Sequence, residues 1–422
     1  MPELLAPAGN FEKMTAALRF GADAVYLAGK SFGMRSAADN FTREELADAV
    51  AYAHALGKRV YLTVNTMPRA AEYPALRAEL DAMRDLPLDA MIVADLGVMD
   101  TIREILPRME IHISTQAGIC SPATALAYAR MGARRLVLAR ELTFDEIRAI
   151  RRALPRGIEL EAFIHGSMCV SYSGRCLLSN ELTGRDGNRG MCAQPCRWNY
   201  MLVEEKRPEQ PLPVEVNEHG SFILSSRDMC MIRHIPALME SGIDSFKIEG
   251  RMKSAYYTAV VSNTYRMAMD AWSADPAAYT FLPAWQEELE SVSHREYCTG
   301  YYLDDCRTTP NLASTTGYIR EKAYFATVQA YNDTELPAHL PRTTDGGTLA
   351  LLTQKNKVSV GDAAELLTPG KIGQPFTVAE LYDEEGNPIP AAPHPMQRFF
   401  MRIPLPTHPG DIIRAGQTAN AG

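Results

Sequence analysis

RFGADAVYLAG, Arg19–Gly29, reads as the end of a helix, a glycine stop, a short polar link and then an apolar β run. The same unit returns in LPLDAMIVAD (Leu86–Asp95), RMGARRLVLAR (Arg130–Arg140) and ESGIDSFKIEG (Glu240–Gly250). Working outward from these four, the chain predicts strands near Glu3–Ala6, Asp23–Ala28, Arg59–Asn65, Asp89–Ala94, Glu110–Thr115, Arg134–Ala139, Ile158–His165 and Ser245–Gly250. Most are short apolar runs separated by stretches of helical period, the pattern of parallel strands covered by helices. Eight such units predict an α/β fold, a (β/α)8 TIM-like barrel. A doubly wound open sheet is the alternative, but no GxGxxG follows a strand.

In such a barrel the active site lies at the carboxyl ends of the strands. Those ends are polar or glycine here: Pro7–Asn10, Gly29-Lys30, Asn65-Thr66, Asp95, Ser114–Gln116, Arg140-Glu141, His165-Gly166 and Glu249–Arg251. Asn65 and Gln116 are taken from this set as substrate-binding candidates. Side chains alternate faces along a strand, so Glu161, Phe163 and His165 are expected on one face of ELEAFIHG, and Lys247, Glu249 and Arg251 on one face of SFKIEGR. Charged groups in a core strand cannot face packed helices without a large desolvation penalty. They are expected at the barrel mouth, with Lys247 and Arg251 able to hold a carboxylate or phosphate. A structural ion-pair network is the equal alternative. Glu161, His165, Lys247, Glu249 and Arg251 are the candidate catalytic set.

After the seventh strand comes EAFIHGSMCVSYSGRCLLSNELTGRDGNRGMCAQPCR, Glu161–Arg197, with four of the eight cysteines: Cys169, Cys176, Cys192 and Cys196. Their spacing is C-x6-C, fifteen residues, then C-x3-C, in a loop rich in glycine and small polar residues. Four thiolates suit a tetrahedral zinc or an iron–sulfur cluster, and the spacing is wider than the C-x2-C pairs of zinc ribbons, which favours iron–sulfur. Four buried structural cysteines would be the plain alternative. Arg175, Arg185, Arg189 and Arg197 surround the cysteines. A Cys–His nucleophile from Cys169 and His165 is disfavoured, since metal ligation would consume the thiolate. An HExxH motif does not occur.

The 422 residues, 46% hydrophobic and 22% charged, fit a globular chain of one large domain with smaller additions. The start lacks a basic region followed by an apolar one, and no apolar run is long enough to cross a bilayer, so a cytoplasmic protein with reduced thiols is expected. A net charge of −8 does not advertise a nucleic-acid binder, though local basic patches decide that question. Tyr200–Ser226 reads as a β insertion, and Cys230 as a residue buried in the following helix. From about Gly317 the pattern turns to short alternating β runs with frequent Gly and Pro. The expected domains are a barrel at 1–270, with the cysteine-rich loop and insertion at about 166–226, a helical linker at 271–316, and a small antiparallel β-barrel at 317–422.

The motif E-x-F-x-H-G-x-x-C-x6-C-x-x-S followed by R-G-x-C-x-x-x-C-R resembles the signature of peptidase family U32, the collagenase-like peptidases. PELLAPAGNFEKMTAALRFGADAVYLAG, FKIEGRMKSAYY, SHREYCTGYY and, near the end, VSVGDAAELLTP are similar to the same family. The resemblance implies several branches. One hydroxylates tRNA wobble uridine to 5-hydroxyuridine with dependence on prephenate. Others hydroxylate a ribosomal RNA cytidine or a quinone precursor, and peptidase activity is the older assignment. Length and the single C-terminal module point to the tRNA branch. By this resemblance Cys169, Cys176, Cys192 and Cys196 hold a [4Fe–4S] cluster, with zinc as the alternative and Cys230 as a possible substitute ligand. The expected partner is tRNA, with neither membrane nor DNA, and Arg175, Arg189 and Arg197 are expected to bind it.

Overall fold

The computed structural model describes residues 1–34, 39–169, 171–198, 216–217, 220–221, 226–304, 319, 322–329, 337, 339–340 and 347–416. Eight parallel strands close a barrel: β1 (Glu3–Pro7), β2 (Ala24–Ala28), β3 (Arg59–Val64), β4 (Ala90–Val93), β5 (Ile111–Ile113), β6 (Arg135–Val137), β7 (Glu159–Ser167) and, after three short intervening strands, β11 (Ser245–Ile248). β11 closes the ring because it pairs on one side with β1, Glu3 against Ser245, and on the other with β7, Ser245 against Glu161. Several of the helices between the strands start on side-chain caps that their sequences carry. In α1 (Phe11–Arg19) Asn10 accepts from the Lys13 amide, while α2 (Arg43–Ala55) and α6 (Phe144–Ala153) each open with a Thr/Glu capping box. The open-sheet alternative is thereby set aside.

The three intervening strands are β8 (Val216–Asn217), β9 (Gly220–Ser221) and β10 (Asp228–Cys230). β8 and β9 form an antiparallel pair within the expected insertion, the rest of which lies outside the described residues. β10 runs antiparallel to the end of β7, Cys230 opposite His165, and β12 (Tyr297–Cys298) lies parallel beside β10. Cys230 is therefore in a strand, not the helix that was expected, and it is buried. Likewise the expected boundary at residue 270 falls within α9 (Ala255–Ala274), and the stretch read as a helical linker contributes β12 to the barrel sheet. Cys306 lies outside the described residues.

Beyond the barrel, seven antiparallel strands make a curled sheet with its own core of Phe325, Leu352, Phe399, Ile413 and their neighbours. This module is seated on α9 and α10 (Pro283–Glu290). Arg414, fully buried, donates to Glu288 at 2.6 Å and to Glu365 at 2.8 Å, and Asn263 bonds the backbone of Gly370 and Lys371. No described helix is long and apolar enough to cross a membrane.

Candidate active site at the barrel mouth

The floor of the barrel interior is an ion-pair network. Arg135 donates to Glu3 at 2.6 Å and to Glu161 at 3.2 Å, Lys247 donates to Glu161 at 2.6 Å, and Tyr61 donates to Glu3 at 2.6 Å. Glu161 is wholly buried. Burial pushes its pKa up, but Lys247, Arg135 and His112 together outweigh that and hold the carboxyl below its usual range. Of the two readings weighed for the charged strands, Glu161 and the ammonium of Lys247 belong to the structural network.

Above this floor a cavity of about 60 Å³ opens at the carboxyl ends of the strands. Lys247, Glu249 and Arg251 all line it, as their alternation predicts, with Asn65 just past the end of β3 and Gln116 in the short turn that follows β5. Asn65 is fixed by accepting from the Met34 amide at 3.0 Å and donating to Ser114 at 3.2 Å. Glu249 accepts from the Tyr26 hydroxyl at 3.1 Å, and burial together with that carboxylate raises the tyrosine pKa well above its usual value. Arg251 donates to Thr63 at 3.4 Å. Tyr26, Thr63, Phe163 and Arg140 also line the cavity. Arg140 was legible as a strand-end residue. Tyr26 and Thr63 were missed because they precede the strand ends, although period-two alternation from Ala28 and Asn65 would have reached them.

His165 is a correction. It does not share the inward face with Glu161 and Phe163, because the pairing with β11 shifts register between Lys247 and Ile248. Lys247 stands opposite Phe163 but Ile248 opposite His165, and this irregularity turns the alternation over. Gly166 follows with φ +106, and a Cβ there would stand 2.4 Å from the Glu249 carbonyl oxygen, so the strand end accepts only glycine. His165 is packed against the rings of Tyr257, Tyr265 and Tyr297, and burial pushes its pKa down to about 3. A base that weak does not activate a thiol at neutral pH.

The cysteine loop leaves the end of β7 and meets two of the residues that line the cavity. Arg140 joins the two, donating to the Ser167 carbonyl at 3.2 Å and to the Cys169 sulfur at 3.8 Å. On the other side, a Cβ on Gly174 (φ +74) would come within 2.6 Å of the Gln116 carbonyl oxygen, which shows how closely the loop approaches. The seven described cysteines are all free thiols. Burial raises the pKa of Cys196, and the thiols of Cys169, Cys192 and Cys176 lie near enough to raise it further. The four cysteines thus share one neighbourhood, and the Gln194 amide donates to the Cys192 sulfur at 3.4 Å. Among the described residues no group of three His, Cys, Asp or Glu is close enough to grip a single metal ion. Four free thiols with amide and guanidinium donors to sulfur fit a thiolate-held cluster in donor chemistry. Of the arginines, Arg189 is held by Glu72 at 2.6 Å and Arg197 donates to Gln194 at 2.7 Å, while Arg175 and Arg185 are exposed.

A wider groove of about 750 Å³ lies between α1, α2 and the C-terminal sheet. It contains none of the clustered thiols, and the smaller mouth cavity is the candidate site because the chemistry-bearing side chains converge there.

Fold and site define a TIM-like barrel protein whose polar mouth adjoins a four-cysteine loop. The chain belongs to peptidase family U32: the family's sequence profile matches residues 9–310, and that of its C-terminal domain matches residues 340–414. It is 37% identical over 417 residues to the tRNA hydroxylation protein P1 of Bacillus subtilis (strain 168), covering 99% of this chain and 95% of that protein. To the tRNA hydroxylation protein P of Escherichia coli (strain K12) it is 34% identical, over 96% of this chain and 94% of that one. A protein named collagenase from Porphyromonas gingivalis (strain ATCC BAA-308 / W83) is 34% identical over 76% of this chain and 78% of its own length.

Proposed function

We propose that this chain is an enzyme that hydroxylates tRNA, converting the wobble uridine to 5-hydroxyuridine in the cytoplasm with prephenate as a required co-substrate. The likeness to two tRNA hydroxylation proteins over nearly the whole chain carries this reading. The polar mouth cavity, whose Arg140 reaches the Cys169 sulfur, supports it. In this reading Cys169, Cys176, Cys192 and Cys196 hold a [4Fe–4S] cluster, which supplies electron transfer when bound. The chain's own residues admit and orient the base. Arg251 and Arg140 offer fixed donors at the mouth, Glu249 accepts, and Phe163 backs the Arg140 guanidinium at 4.1 Å from its ring centre. The exposed Arg175 and Arg185 on the loop suit the phosphates of a single-stranded anticodon loop.

The test is a gene deletion followed by mass spectrometry of tRNA nucleosides. Derivatives of 5-hydroxyuridine should vanish, return with the wild-type chain, and stay absent with Cys176→Ala. Unchanged nucleosides, with a peptide-cleaving activity lost instead, would overturn the reading in favour of the peptidase one. Altered ribosomal RNA cytidine or quinones would assign the chain to the other hydroxylase branches.

A further inference from the structure

Two buried polar atoms at the mouth stand without a hydrogen-bond partner: Oε1 of Gln116 and Nε of Arg140. Both side chains line the same cavity of about 60 Å³. Buried donors and acceptors are seldom left unsatisfied, and where they are, a ligand that completes them is a sufficient cause. That space is several times the ~10–15 Å³ that admits one water, so the polar edge of a ligand can enter it. Each of the two residues also touches the cysteine loop, Arg140 through Ser167 and Cys169 and Gln116 against Gly174, so the cavity wall is shared with the loop's supports.

We propose that Gln116 and Arg140 are the pair that reads the target base. The Gln116 amide oxygen accepts from N3–H of uracil, and the Arg140 guanidinium donates to O4. This deepens the tRNA uridine reading above and rests on it. The two residues discriminate jointly. An amide can turn over and offer either a donor or an acceptor, so Gln116 alone would accept cytosine as well. Arginine has donors only, and cytosine presents an amino donor where uracil has O4, so Arg140 meets uracil and repels cytosine. The preference follows from which atoms are left unsatisfied, not from the size of the cavity.

Equilibrium binding tests this without depending on turnover. The full-length protein is titrated with three labelled anticodon stem–loops that differ only at the target position: uridine, N3-methyluridine and cytidine. Wild type should bind the uridine loop about tenfold or more tighter than either of the others. Gln116→Leu should lose the preference over N3-methyluridine, and Gln116→Glu should keep it, since a carboxylate still accepts from N3–H. If Gln116→Leu fails to fold in a melting experiment, wild type and Gln116→Glu decide between them. Equal affinity of wild type for all three loops, or a preference unchanged in Gln116→Leu, overturns the base-reading pair while nucleoside loss on deletion would keep the hydroxylase reading. Failure to bind any of the loops also overturns the pair, and with tRNA nucleosides unchanged on deletion it overturns the hydroxylase reading too.

Discussion

His165 shows how a single residue changes meaning with its surroundings. At the end of β7 and four residues before a cysteine, it has the sequence position of a catalytic base. Its ring instead lies 5.9, 5.6 and 5.5 Å from the rings of Tyr257, Tyr265 and Tyr297, with Nε2 buried and without a partner. Burial drives its pKa to about 3, so the native state keeps it neutral. The unfolded chain protonates it near pH 6.5. Below that pH the unfolded state binds the extra proton, so this residue's contribution is fully present above ~6.5 and is lost as pH falls towards about 3, at about 1.4 kcal/mol per pH unit. His165→Phe, which suits an aromatic cage and removes the orphaned nitrogen, should make stability less acid-sensitive by about one proton over that window. Urea unfolding at pH 6.5, 5.5 and 4.5 measures it. Parallel slopes for wild type and variant would show that His165 titrates normally.

At the scale of elements, the cysteine loop and the strands were legible to different depths. All eight barrel strands could be placed, because each is a short apolar run between helical stretches, and Gly and polar links mark the joins. The inward course of Lys247, Glu249 and Arg251 followed from alternation alone. The same rule failed one strand away, at His165, because a register shift in the pairing of β7 with β11 leaves no mark in the composition of ELEAFIHG. β10 and β12 were also missed. Each is only two or three residues long and is held by its neighbours more than by its own propensity. For the loop, sequence supplied four thiols at a telling spacing, but not the contact of Arg140 with Cys169, which joins residues far apart in the chain. Protein purified and kept without oxygen should carry about four irons per chain if the four thiols hold a [4Fe–4S] cluster. Cys192→Ala should lose that iron. One zinc per chain with no iron, under strict anaerobiosis, would replace the cluster by a single tetrahedral ion.

Over the whole molecule, the question is whether the C-terminal module is an independent attachment. Its composition suggested so, since the alternating β runs begin abruptly and carry their own core. The structure joins the two more tightly than that. Leu367 and Ile412 of the module pack into the same apolar cluster as the barrel's helices and strands. Arg414 crosses the boundary, bonding Glu288 of α10 and Glu365 of the module, and also Tyr256 at 3.2 Å and Ser291 at 2.9 Å. Burial opposes the charge on Arg414, but Tyr256, Glu288 and Glu365 more than compensate and raise its pKa. Removing the guanidinium leaves the buried Glu288 without its cation, while Glu365 keeps Lys322 at 2.7 Å, a loss on the order of 3–5 kcal/mol for a broken buried pair. Because this site is shared, the cost should fall on both parts at once. Calorimetry of the wild-type chain should therefore show one cooperative transition, and Arg414→Ala should move that whole transition down by several degrees. Two separate transitions in the wild type, or a variant in which only the smaller one shifts, would make the module an independent unit that the barrel merely carries.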